Sequence, residues 1–103
     1  VLTGQWAIKA YKEAARYGEA NVVASSKDKT FSYIPKLDPS TFTKDADYFY
    51  ICMNNTIYGT VYHEIPETGN VPLVADISSC ILFLSLVWFM QVLRRTWLLL
   101  VLQ

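Results

Sequence analysis

Between residues 6 and 17 the apolar positions Ala7, Ala10, Tyr11, Ala14 and Ala15 recur three and four apart, while Lys9, Lys12, Glu13 and Arg16 fall on other faces. That is the period of an amphipathic helix, and Gly18 supplies a C-terminal stop. Beyond it the period is lost. "NVVAS" at 21–25 reads as a short buried strand. The polar stretch 27–47, with Pro35 and Pro39 and no long apolar run, reads as surface with an edge strand around Phe31 to Ile34. "YFYICM" at 48–53 is aromatic and β-branched enough for a strand, and "NNTIYGT" follows as a loop rich in hydrogen-bonding side chains. "VPLVAD" at 71–76 is an unbroken apolar run ended by an acid, the pattern of a parallel strand covered on both faces. Helix, strand, loop, strand, loop, strand predicts part of an α/β layer structure, with no internal repeat.

The last stretch, "SSCILFLSLVWFMQVLRRTWLLLVLQ", breaks with everything before it. A spanning helix needs about 20 apolar residues. The run from Cys80 to Leu93 is shorter, contains Gln91 and is followed by Arg94 and Arg95. A small membrane-associated protein anchored by this tail is therefore the alternative reading, and no membrane partner is expected.

Composition narrows the class. A chain of 103 residues that is 52% hydrophobic suits one small domain. Nine basic residues balance nine acidic ones, so there is no concentrated basic surface for nucleic acid. Seven of those cations and all nine acids precede residue 80, a net of minus two. Cys52, Cys80 and the single His63 make neither a disulfide framework nor a metal site, and the thiols read as reduced side chains of a cytoplasmic protein. The start, "VLTGQWAIKA", has no signal-peptide pattern and no methionine, and reads as a cut from something longer.

Ligands of open α/β sheets collect at the carboxyl ends of strands. Asn54, Asn55 and Thr56 follow one such end, and Asp76, Ser78 and Ser79 follow another. On pattern alone Asp76 reads equally well as a cap, "NNT" as a turn, and Trp6 as a core or helix-start aromatic.

At these positions the chain resembles phosphoserine aminotransferases, pyridoxal-phosphate enzymes of the aspartate-aminotransferase-like fold. "TGQWAIKAYKEAARYG", "NNTIYGT" and "VPLVADISSCIL" carry the resemblance, in the family's order, and it covers residues 1–82. It implies an α/β fragment of the large cofactor-binding domain of fold type I. It also implies roles: Asp76 pairs with the pyridine nitrogen of pyridoxal 5'-phosphate, Trp6 stacks on the ring, Thr56 approaches the phenolic oxygen and Ser79 lies near the phosphate. The expected reaction passes the amino group of glutamate to 3-phosphohydroxypyruvate, giving phosphoserine and 2-oxoglutarate for serine biosynthesis, in a homodimer.

The family's lysine, which binds the cofactor as a Schiff base and shuttles the proton, should follow Asp76 within a stretch close to "KFGLVYAGAQKNLAPAGLT". This chain has no lysine after Lys44. The catalytic set is thus expected to be empty, the metal set likewise, and the chain inactive by itself. Reading the tail's codons two bases late restores the missing motif. Trp88–Phe89 then yields valine, Phe89–Met90 permits tyrosine, Met90–Gln91 forces alanine, and the next pairs permit glycine, alanine, glutamine, lysine and asparagine, giving VYAGAQKN. Residues 83–103 are therefore expected to be a frameshifted reading with no native fold. A non-catalytic α/β binding module is the remaining alternative.

Overall fold

Residues 1–80 and the backbone of Thr96 and Trp97 are described by a computed structural model. Apart from those two positions, the tail at 83–103, and with it the expectation that it has no native fold, lies outside the described residues.

The expected helix is α1, Gln5–Ala14. It opens without a side-chain cap, Ile8 N–H bonding to Gly4 O at 3.1 Å, and packs Ala7 inward. It ends before Tyr17 because the amides of Arg16 and Tyr17 turn back to Glu13 and Ala14, tightening the last turn. Gly18 closes on Ala14 O at 3.2 Å.

The aromatic run becomes β1, Phe49–Cys52, and the second apolar run becomes β4, Leu73–Asp76. They pair in parallel, Phe49 opposite Leu73 and Cys52 opposite Asp76, as the unalternating run at 71–76 predicts. Three of the four residues in each strand are buried, and each keeps one half-buried position, Tyr50 and Val74. A second parallel neighbour, β5 at Thr96–Trp97, pairs with Leu73 and Val74, so the sheet order is β1-β4-β5. The core sits on this sheet: Ile51 and Ile77 are fully enclosed, with Met53, Leu73 and Ala75 around them and the Phe42 ring 4.5 Å from that of Phe49.

Three local expectations change. Residues 21–25 are not a strand. They are held by a single bridge between Leu2 and Ser25, flanked by two backbone hydrogen bonds, so the valines have no ladder to join. Nor do residues 31–34 form one. Thr30 and Phe31 both take positive φ, 53° and 58°, after a 3-10 turn at Lys27–Lys29, and Phe31 is buried as the anchor of that turn. Within the expected loop 54–60, β2 (Asn54–Asn55) pairs antiparallel with β3 (Thr60–Val61) around a turn in which Gly59 has φ 69°. That left-handed position is where glycine has no Cβ penalty.

Candidate functional site

Because β1 and β4 are parallel and in register, their carboxyl ends lie side by side, and Cys52 and Asp76 face the same end of the sheet. The chain leaves β1 into β2 and leaves β4 into the Ser78–Ser79 turn, where Cys80 N–H bonds to Ile77 O at 3.0 Å. Between these exits and the start of α1 lies a cavity of about 250 Å3. Trp6, Thr56, Asp76 and Ser79, the four residues that the sequence put forward, all border it. Cys52, Asn54 and Ser78 complete its wall. A larger open groove of about 710 Å3 runs between residues 34–42 and 59–67, and none of the four touches it.

Asp76 is 8% exposed. Its Oδ1 accepts from the Ser78 amide at 3.0 Å and from the Ser78 hydroxyl at 2.7 Å, so the capping reading is realised. Among the described residues its Oδ2 accepts only a long contact from the Tyr50 hydroxyl, at 3.4 Å. An ionised carboxylate offers about four acceptor sites, so this side chain retains capacity for another donor. The one ion pair among the described residues is Arg16–Glu13, on the exposed face of α1. Among the described residues Asp76 is thus an enclosed carboxylate with no cation beside it, an arrangement that a positive group would complete.

The neighbouring groups stay neutral. Burial pushes the Cys52 thiol up to about 12, and the negative Asp76 adds to the shift. Burial and then Asp76 raise Cys80 and Tyr50 in the same way. None of these groups supplies the missing positive charge.

Trp6 is brought here by the turn before its helix. Thr3 Oγ1 donates to Asn55 Oδ1 at 3.0 Å, and Gln5 Nε2 donates to the Tyr58 hydroxyl at 2.8 Å. A Cβ on Gly4, between them, would sit 3.0 Å from Asn55 Oδ1, so a larger residue there would push against the hairpin. The indole is half-buried, with the Lys9 ammonium 4.5 Å from its ring centroid. Thr56 is exposed at the cavity edge. Ser79 accepts from Asn54 Nδ2 at 3.2 Å, tying the β4 exit to β2. Tyr50 and Cys52 escaped the sequence reading. Their signal, two positions apart on a strand, means something only once the register with Asp76 is known.

No family model matches the chain. Over 82 residues it is 50% identical to the phosphoserine aminotransferase of Herminiimonas arsenicoxydans and 52% identical to that of Bacillus thuringiensis subsp. konkukian. Each alignment takes in 80% of this chain and 23% of the relative. Among solved structures, a phosphoserine aminotransferase studied for radiation damage of its Schiff base superposes with a TM-score of 0.72 at 48% identity. The enzyme from Bacillus circulans subsp. alkalophilus does so with 0.73 at 40% identity. These too take in 80% of this chain and 23% of theirs, so the chain spans about a quarter of the length of the curated relatives it matches. Among the described residues no helix is long and apolar enough to cross a membrane.

Proposed function

From a chain that is homologous over 82 residues to the phosphoserine aminotransferases, we propose that the cavity between α1 and the ends of β1 and β4 is the ring-binding part of a pyridoxal 5'-phosphate site. The observation that carries this reading is the enclosed Asp76 carboxylate, uncompensated by any described cation, on a cavity that Trp6 also borders. A protonated pyridine nitrogen is the kind of partner that such a carboxylate lacks. When bound, the cofactor supplies the electron sink that transamination needs.

Each residue then has its own task. Asp76, held through Oδ1 by Ser78, keeps a proton on the ring nitrogen through Oδ2. Trp6 covers the ring face and excludes water from it. The Thr56 hydroxyl, exposed at the rim, donates toward the phenolic oxygen, and Ser79 marks the phosphate end. The cavity's 250 Å3 is below the roughly 300–1,000 Å3 of complete small-molecule sites, in keeping with a site to which this segment brings one part.

In a whole protein built on this segment, the reaction is exchange of an amino group between glutamate and 3-phosphohydroxypyruvate, in a homodimer. The 103-residue chain alone does not turn over, since no lysine follows Lys44. The tail from residue 83 is a frameshifted reading of the missing motif. Sequencing the source DNA from the Val71 codon to the stop tests it. One frame running from "VADISS" into "YAGAQKN" is expected, and an unbroken frame encoding the tail as written refutes it.

Titration of the chain with pyridoxal 5'-phosphate tests the site. Saturable binding with Kd on the order of 1 mM, equivalent to about 4 kcal/mol, is expected. Asp76→Ala should weaken it at least tenfold, the loss of a charged hydrogen bond. Equal binding by the unsubstituted chain and the variant would refute the assignment.

A further inference from the structure

The hydrogen bonds that bring Trp6 to the cavity fix its backbone and leave its ring to be placed by something else. Thr3 and Gln5 bind Asn55 and Tyr58 on either side of Gly4, so the path of the chain into α1 is set. The indole has two further torsions, χ1 and χ2, and no hydrogen bond from its own N–H is found among the described residues. What does meet it is Lys9, one helical turn on, whose ammonium lies 4.5 Å from the ring centroid. Residues three apart on a helix share a face, and an ammonium within about 6 Å of an indole centroid is attracted to the ring. Lys9 is exposed and does not border the cavity, whereas Trp6 does. The cation therefore meets the indole without itself forming part of the cavity wall.

We propose that Lys9 is a positioning residue for Trp6: its ammonium holds the indole from the helix side, so that the ring stands as a preset wall of the cavity for a stacked aromatic cofactor. This rests on the cofactor reading above. Setting the ring beforehand spares the ligand the cost of ordering it on binding.

The test compares Lys9→Met, which keeps the stem and removes the charge, with Lys9→Arg, which keeps the cation. Lys12→Met serves as a control that removes a charge elsewhere on α1. All are helix-compatible changes at exposed positions. The first readout is the indole N–H resonance of Trp6 in 1H–15N spectra of the full chain, identified among its three tryptophans by Trp6→Phe. The second is the Kd for pyridoxal 5'-phosphate. Lys9→Met is expected to move the Trp6 resonance and weaken binding about two- to fivefold, the range for exposed cation–π contacts. Lys9→Arg should restore both, and Lys12→Met should leave the resonance in place. An unmoved resonance in Lys9→Met, or a Lys9→Arg variant that behaves like it, overturns the proposal. If the resonance responds as expected but the unsubstituted chain does not bind the cofactor, the placement of the ring by Lys9 stands and the cofactor assignment falls. Binding with an unresponsive resonance overturns the role of Lys9 alone.

Discussion

Asp76 meets two demands with one side chain. Its Oδ1 closes the turn after β4 through Ser78, while Oδ2 is turned to a long contact with Tyr50. Removing the short Ser78 hydroxyl bond leaves the backbone bond in place, so Ser78→Ala should lower stability by about 1.5–3 kcal/mol, the range for one hydrogen bond to a charged group. A urea midpoint shifted down at unchanged slope would show it. The same carboxylate, with burial as the larger cause, makes the neighbouring thiol a poor acid. Cys52 rises from an ordinary 9.0 to about 12 in the folded chain. The folded state keeps that proton while the unfolded state loses it, so the stability it contributes is complete below pH 9 and is lost as pH rises toward 12. Cys80, Tyr50 and Tyr62 shift in the same direction. Urea midpoints should therefore fall steadily above pH 9, and a flat profile to pH 11 would contradict this.

At the scale of elements, the approach of α1 to the β2–β3 turn is the joint that brings Trp6 beside Asp76. Gly4 makes it possible: a Cβ there would lie 3.0 Å from Asn55 Oδ1 and 3.2 Å from Tyr58 Cδ2. Both neighbours are held, Asn55 by Thr3 and Tyr58 by Gln5 and by the Phe31 ring 5.1 Å away. Gly4→Ala is expected to cost about 1–3 kcal/mol, the range for overpacking. Gly18→Ala, with nothing within 4 Å, should be neutral or slightly stabilising. Thermal unfolding of the two variants side by side checks the contrast. Within the sheet, Ile51 is fully enclosed between β4 and the flanking layer. Ile51→Ala should cost about 2–5 kcal/mol, enough to unfold a domain of this size.

At the scale of the molecule, the described residues leave large apolar side chains in solvent, Ile57 at 60% exposure and Tyr17 at 81%. Apolar surface left uncovered favours association. Sedimentation velocity across a concentration series should therefore show self-association, and a concentration-independent monomer would refute it.

What the sequence determined by itself is what depends on neighbours along the chain. The three- and four-residue spacing of the alanines specified α1. The aromatic and β-branched run at 48–53 specified a strand, and the unalternating run at 71–76 specified a parallel one covered on both faces. Local pattern misled at 21–25, where Val22 and Val23 found no strand to pair with, and at Phe31, whose burial comes from a left-handed turn. The tertiary structure alone decided the register that sets Cys52 opposite Asp76, the closure of Thr3 and Gln5 onto the hairpin, and the lack of any described cation beside the Asp76 carboxylate. Register and charge pairing depend on groups tens of residues apart meeting in space, and no periodicity along the chain records which of them will meet.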